Sequence, residues 1–111
     1  MQIYHNARCS KSRQALALLE ANGKSPEIIE YMKEGLTRNE LEAVITRLGI
    51  DAVQLIRKGE IVYKEKFKAK DPNKVDWIQA MIDYPNLMER PIVIQGNKAV
   101  IGRPPELVLD I

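Results

Sequence analysis

The sequence predicts one α/β domain in which a β-α-β unit and a β-β-α unit are separated by a helical insertion. Three observations carry this. A short apolar-leaning segment, Gln2–Tyr4, leads into an amphipathic stretch that stops at Gly23, and a second extended segment follows Pro26. The middle of the chain then repeats apolar residues at helical spacing. Near the end, Pro91 introduces an apolar run that is folded back on itself at Gly96-Asn97. At 111 residues the chain is long enough to bury a core of its own and too short for two ordinary domains.

Each element has a local reason. Residues from about Lys11 to Asn22 read as a helix with Ala15, Leu18, Leu19 and Asn22 on one face and Gly23 as its stop. Glu27–Glu30 reads as the second strand, and a β-helix-β unit of this length makes a parallel pair with a right-handed crossover. Thr37-x-x-Glu40 is a capping box, followed by Leu41, Val44, Ile45 and Leu48 at helical spacing up to Gly49. Asp51 can cap a short helix reaching Ile56, and Lys58–Asp71 reads as loosely helical. Val75, Ile78, Met81 and Ile82 form a further apolar stripe, ended by Pro85. Ile92–Gln95 and Lys98–Ile101 form a hairpin, with Gly at the first turn position suiting type II′. Pro104-Pro105-Glu106 opens a final short helix, since proline is tolerated in a first turn. Together these predict a thioredoxin-like, four-stranded mixed sheet in a single domain, residues 1–111, with the helical insertion at about 37–85.

Composition excludes several classes. Hydrophobic residues at 45% and charged residues at 29% are globular proportions rather than those of a disordered chain. A net charge of +2 is too small for a dedicated nucleic-acid surface, so no direct nucleic-acid partner is expected. The longest stretches without Asp, Glu, Lys or Arg are Met1–Ala7 and Pro91–Asn97, far short of the roughly 20 apolar residues that span a bilayer. Cys9, Lys11 and Arg13 interrupt the place where a secretory leader would need an apolar run. The single cysteine forms no internal disulfide, and the expected setting is a reducing cytoplasm. One Cys and one His fall short of the three or four protein ligands of a zinc site, so no metal is expected.

Cys9 is the first candidate for chemistry. It sits at a strand-to-helix junction, where unpaired N–H groups and the helix dipole favour a thiolate. Useful activation lowers a thiol pKa by about 2 units, or about 2.7 kcal/mol, and a helix end supplies only about 0.3–1 kcal/mol of it. Other groups must contribute. His5, Asn6 and Ser12 can donate to the sulfur, while Arg8, Lys11 and Arg13 raise the local potential. The opposing possibility is an inert buried cysteine, the commoner fate of a lone one.

Of the seven arginines, Arg38 can pair with Glu42 at i,i+4, and Arg47 lies off the apolar stripe. Arg90 and Arg103 are different. A turn at Gly96-Asn97 pairs residues whose numbers sum to 193, and the same register sets Arg90 opposite Arg103 at the hairpin's open end. Like charges facing each other across a strand pair are destabilising, which points to an anion between them. Salt bridges to the adjacent Glu89 or Glu106 are the alternative. In a thioredoxin-like sheet the third strand runs antiparallel to the first, so this open end lies beside the Cys9 loop. Guanidinium groups suit a tetrahedral oxyanion because they are always charged and offer paired donors. Pattern alone makes Arg57 a solvated charge at a helix end, and the isomer of the Arg90–Pro91 bond stays open.

These residues resemble a known family, the glutaredoxin-linked arsenate reductases and their relatives of the ArsC/YfgD type. The shared segments are Ile3-Tyr4-His5-Asn6-x-Arg8-Cys9-Ser10-Lys11-Ser12-Arg13, Arg57-x-x-Glu60-x-x-Tyr63-Lys64, Glu89-Arg90-Pro91-Ile92-Val93 and Ile101-Gly102-Arg103-Pro104-Pro105-Glu106. The resemblance implies a thioredoxin-like fold with a helical insertion, a Cys9 nucleophile that attacks arsenate, and Arg57, Arg90 and Arg103 as its oxyanion holders. It further implies that His5, Asn6 and Ser12 tune the thiolate. Ala7 stands where the family usually has proline, and Arg57-x-x-Glu60 is closer to the YfgD-like branch.

With one cysteine, the resolving thiol must be external, so glutathione as co-substrate and glutaredoxin as partner are expected, with no bound cofactor. The protein is expected to act as a monomer. Two other functions share the fold. One is a non-enzymatic regulator of the Spx type that binds RNA polymerase, although Cys9-Ser10-Lys11-Ser12 lacks the second cysteine of a C-x-x-C switch. The other is a thiol transferase acting on mixed disulfides.

Overall fold

Four strands make one mixed sheet in the computed structural model, which describes residues 1–111. They are β1 (Gln2–Tyr4), β2 (Glu27–Ile29), β3 (Ile92–Gln95) and β4 (Lys98–Ile101), in spatial order β2-β1-β3-β4. β1 and β2 are parallel, with Ile3 opposite Ile28. β1 and β3 are antiparallel, with Tyr4 opposite Ile92. β3 and β4 pair Ile92 with Ile101 and Gln95 with Lys98, the predicted register. Gly96 takes a φ of +60° and no other residue type in the chain has positive φ, as a type II′ turn led by glycine requires. β2 is one residue shorter than expected. This is the thioredoxin-like arrangement that the sequence implies.

The helix between β1 and β2 is α1 (Ser10–Ala21), with Cys9 as its N-cap. It ends in a Schellman motif: Gly23, at φ +75°, donates to Glu20 O, and Lys24 N donates to Leu19 O. Its inner face differs from the one expected. Ser12, Ala15 and Leu19 are buried, with Leu16 partly so, whereas Leu18 is half-exposed and Asn22 exposed. A polar residue on the inner face displaced the stripe that apolar spacing alone suggested. Ile3 and Val93, being register partners, point to the same side of the sheet. There they form a core with Ala15, Leu19 and Val108. Val108 comes from the closing 3₁₀ helix, Pro105–Asp110, which packs against α1.

The chain divides into two compact units, Met1–Glu34 with Arg90–Ile111, and Gly35–Glu89. The first also holds a short helix after β2, α2 (Tyr31–Glu34), which the sequence reading did not anticipate. The second contains α3 (Arg38–Leu48), α4 (Ile61–Lys66) and α5 (Trp77–Asp83), with 3₁₀ turns at Ala52–Leu55, Pro72–Lys74 and Pro85–Leu87. The capping box is formed as predicted: Glu40 N donates to Thr37 Oγ1 and Thr37 N to Glu40 Oε1, each at 3.1 Å. α5 starts later than its apolar stripe suggests, because Asp76 caps it by accepting from Gln79 N at 3.1 Å. Val75 therefore precedes the helix, and of the expected stripe only Met81 is fully buried, joined by Trp77 and Ala80, while Val75, Ile78 and Ile82 are partly exposed. Trp77 packs against Tyr63 and Phe67, and its Nε1 donates to Pro72 O at 2.9 Å. No helix is long and apolar enough to cross a membrane.

Candidate active site around Cys9

The loop that carries Cys9 begins where β1 stops. His5 N still donates to Ile29 O at 2.9 Å, after which the chain leaves the sheet. Asn6 then closes the loop twice: its carbonyl accepts from Cys9 N at 3.0 Å, and its Oδ1 accepts from Arg8 N at 3.0 Å. Arg13 Nη1 braces the same loop by donating to Ala7 O at 2.8 Å. Cys9 is thereby held at the N-cap of α1, half-buried and in no disulfide.

Beneath the loop lies a buried polar pair. Ser12 Oγ is 2.6 Å from His5 Nδ1 and also accepts from Asn6 N at 3.1 Å. His5, Asn6 and Ser12 are all buried. Burial pushes the His5 imidazole below its ordinary pKa; the Glu30 carboxylate opposes this and the Arg13 guanidinium adds to it. For Ser12, the expectation of direct donation to the sulfur is corrected here. Ser12 is three residues into the helix from Cys9 and faces the interior, so its hydroxyl meets His5 and the loop backbone.

One side-chain hydrogen bond to sulfur comes from Arg103, whose Nη2 is 3.3 Å from Cys9 Sγ. The hairpin explains how it gets there. Its register continues past the strand ends, with Gly102 N donating to Pro91 O at 2.8 Å and Arg103 Nε to Arg90 O at 2.8 Å. Because β3 is antiparallel to β1, this open end sits beside the loop after Tyr4. The bonds Arg90–Pro91 and Arg103–Pro104 are both cis.

The Cys9 thiol is held below its ordinary pKa. Burial alone would push it up, but the Ser12 and Lys11 backbone N–H groups at the start of α1 and the Arg90 guanidinium, acting as donor and as charge, outweigh it. Arg90 therefore favours the thiolate, and the Arg103 guanidinium lies within hydrogen-bond distance of the same sulfur.

Arg57 lies in the 35–89 unit and is not the solvated charge that pattern suggests. It is about three-quarters buried, with Nη1 3.4 Å from Glu60 Oε1 and Nε 3.9 Å from Glu89 Oε1. A single antiparallel bridge, Ile56 opposite Met88, brings these together; Arg57 N donates to Leu87 O at 2.7 Å and Glu89 N to Leu55 O at 2.9 Å. The Arg57–Glu60 spacing was visible in the sequence, whereas no local signal marks the bridge to Glu89. Arg38 does pair with Glu42, at 3.3 Å, and also with Asp76, at 3.0 Å.

A thiol at the N-cap position of a helix, below its ordinary pKa and facing guanidinium groups, can act as a nucleophile toward an oxyanion. Comparison with known proteins shows which chains this one is similar to. The ArsC family model matches residues 4–111. The chain is 46% identical to "Uncharacterized protein YfgD" of Escherichia coli K12, with 100% of this chain and 95% of the relative covered. It is 46% identical to "Arsenate reductase" of Haemophilus influenzae, covering 98% of this chain and 96% of the relative. Among solved structures, the arsenate reductase from Vibrio cholerae superposes with a TM-score of 0.91 at 42% identity, covering 99% of this chain and 95% of that one.

Proposed function

This chain belongs to the ArsC family, and from that premise we propose that it reduces arsenate to arsenite, with Cys9 as nucleophile and external thiols as reductant. The observation that supports this most strongly is the pairing of the cysteine at the N-cap position with the Arg103 guanidinium at 3.3 Å.

Arg90 and Arg103 bind the arsenate oxygens, and the Cys9 thiolate attacks arsenic. An arsenic–sulfur bond forms, an arsenic–oxygen bond breaks, and the oxygen leaves as water once protonated. Reduction from As(V) to As(III) then takes two electrons. The only cysteine is occupied, so the electrons come from outside: glutathione supplies the first thiol and glutaredoxin completes the exchange. In net terms one arsenate and two thiols give one arsenite, one disulfide and one water. His5, Asn6 and Ser12 act through the loop they brace, and Arg57 carries the family's third arginine position.

The test is arsenate-dependent oxidation of NADPH in the presence of glutathione, glutaredoxin and glutathione reductase. Wild-type protein should turn over, and Cys9→Ser should not, with an unchanged circular dichroism spectrum. Retained turnover in Cys9→Ser rules out the mechanism. A wild-type protein that ignores arsenate yet reduces glutathione mixed disulfides is instead a thiol transferase. An arsenate KM left unaltered by Arg57→Ala removes that residue from the binding set.

A further inference from the structure

We propose that Gly102 is a positioning residue for the Cys9 site: its missing side chain lets the hairpin base close tightly enough to set Arg90 and Arg103 on the sulfur. This rests on the reading of Cys9 as nucleophile given above.

The argument is steric. A Cβ at Gly102 would lie 2.8 Å from Pro91 Cγ and 2.9 Å from Val108 Cγ1, closer than side-chain carbons approach. Neither neighbour can yield cheaply. The proline ring is rigid, and Val108 is buried in the core with Ile3, Ala15, Leu19 and Val93. Gly102 has no positive φ, so backbone freedom is not the reason for glycine here.

What that close approach holds together is the base of the site. Gly102 N donates to Pro91 O at 2.8 Å, one residue from both arginines. Next to it, Arg103 Nε donates to Arg90 O at 2.8 Å while Nη2 reaches Cys9 Sγ at 3.3 Å. The guanidinium is therefore fixed at one nitrogen by the opposite backbone and presents another to the sulfur. A methyl group at residue 102 parts the two backbones and moves both arginines, since each directly adjoins a residue of this contact in the chain. The other five glycines have no atom within 4 Å of the corresponding Cβ position, so the packing demand is peculiar to Gly102.

The test measures the Cys9 thiol by the pH dependence of its alkylation with iodoacetamide, in wild type, Gly102→Ala, Val108→Ala and the Gly102→Ala/Val108→Ala double variant. Gly102→Ala should raise the thiol pKa by about 1 unit, the scale on which a neighbouring opposite charge acts. Val108→Ala opens a cavity in the same core and should lower the melting temperature without moving the thiol pKa. The double variant removes one of the two clashes and should recover folding if Gly102→Ala alone does not fold, with the raised pKa retained. A wild-type alkylation profile in Gly102→Ala overturns the proposal, as does an equal shift in Val108→Ala. Failure of both Gly102 variants to fold also overturns it, by placing the glycine in folding alone. An ordinary thiol pKa in the wild type sinks the nucleophile reading itself, so the two failures are distinguishable.

Discussion

Arg103 reaches Cys9 across 94 residues of chain, with Nη2 3.3 Å from Sγ and Nε pinned 2.8 Å from the Arg90 carbonyl oxygen. A guanidinium held at two points lies nearer its working geometry than a mobile one, and less ordering is left to do when an anion binds.

If this contact helps lower the thiol pKa, Arg103→Gln should raise it. We expect the alkylation midpoint to move up by about 1 unit, since an opposite charge within contact distance shifts a pKa by about 1–3 units. Folding lowers the thiol pKa, so the thiolate's contribution to stability is complete above the unfolded value of about 8.5 and fades as pH falls through the folded one. An unchanged midpoint in Arg103→Gln leaves the helix terminus and Arg90 as the source of the shift.

Arg90→Lys separates charge from shape. Lysine keeps the charge but has no planar fork, so the arsenate KM should rise about tenfold, equivalent to about 1.4 kcal/mol, with a smaller effect on kcat. Steady-state kinetics with the glutaredoxin-coupled assay measure both, and wild-type constants show that paired donation from Arg90 is not required.

The buried His5–Ser12 pair predicts a pH effect and a stability effect. Folding lowers the His5 pKa, so the unfolded chain binds the proton more readily and stability declines as pH falls below about 6.5. His5→Gln should flatten that decline in urea titrations between pH 7 and pH 5. Ser12→Ala leaves Asn6 N–H without its acceptor in a buried loop and should cost about 1–3 kcal/mol. A loss well below that range in the same titrations means the loop relaxes to find another acceptor.

Much of this is legible in the sequence. The β-α-β unit, the capping box at Thr37, the hairpin register and the meeting of Arg90 with Arg103 all follow from turn chemistry and short periods. Those signals act over a few residues, and a two-residue turn propagates its register along both strands. The β-sheet order then carried the hairpin's open end to the Cys9 loop.

Other features were hidden from apolar spacing, some set by short polar contacts and some by contacts remote in sequence. Ser12 faces His5 rather than sulfur because the inner face of α1 includes a polar residue, which apolar spacing does not reveal. The Arg57–Glu89 pair depends on a single bridge between aperiodic segments, and Asp76 rather than the apolar stripe starts α5. Gly102 had no turn to form and no positive φ to adopt; its need to be small arises only where Pro91 and Val108 close on it. Local chain chemistry therefore determined which elements form and how the hairpin is aligned. Packing in three dimensions decided which donors reach the sulfur, because that depends on how close two surfaces can come.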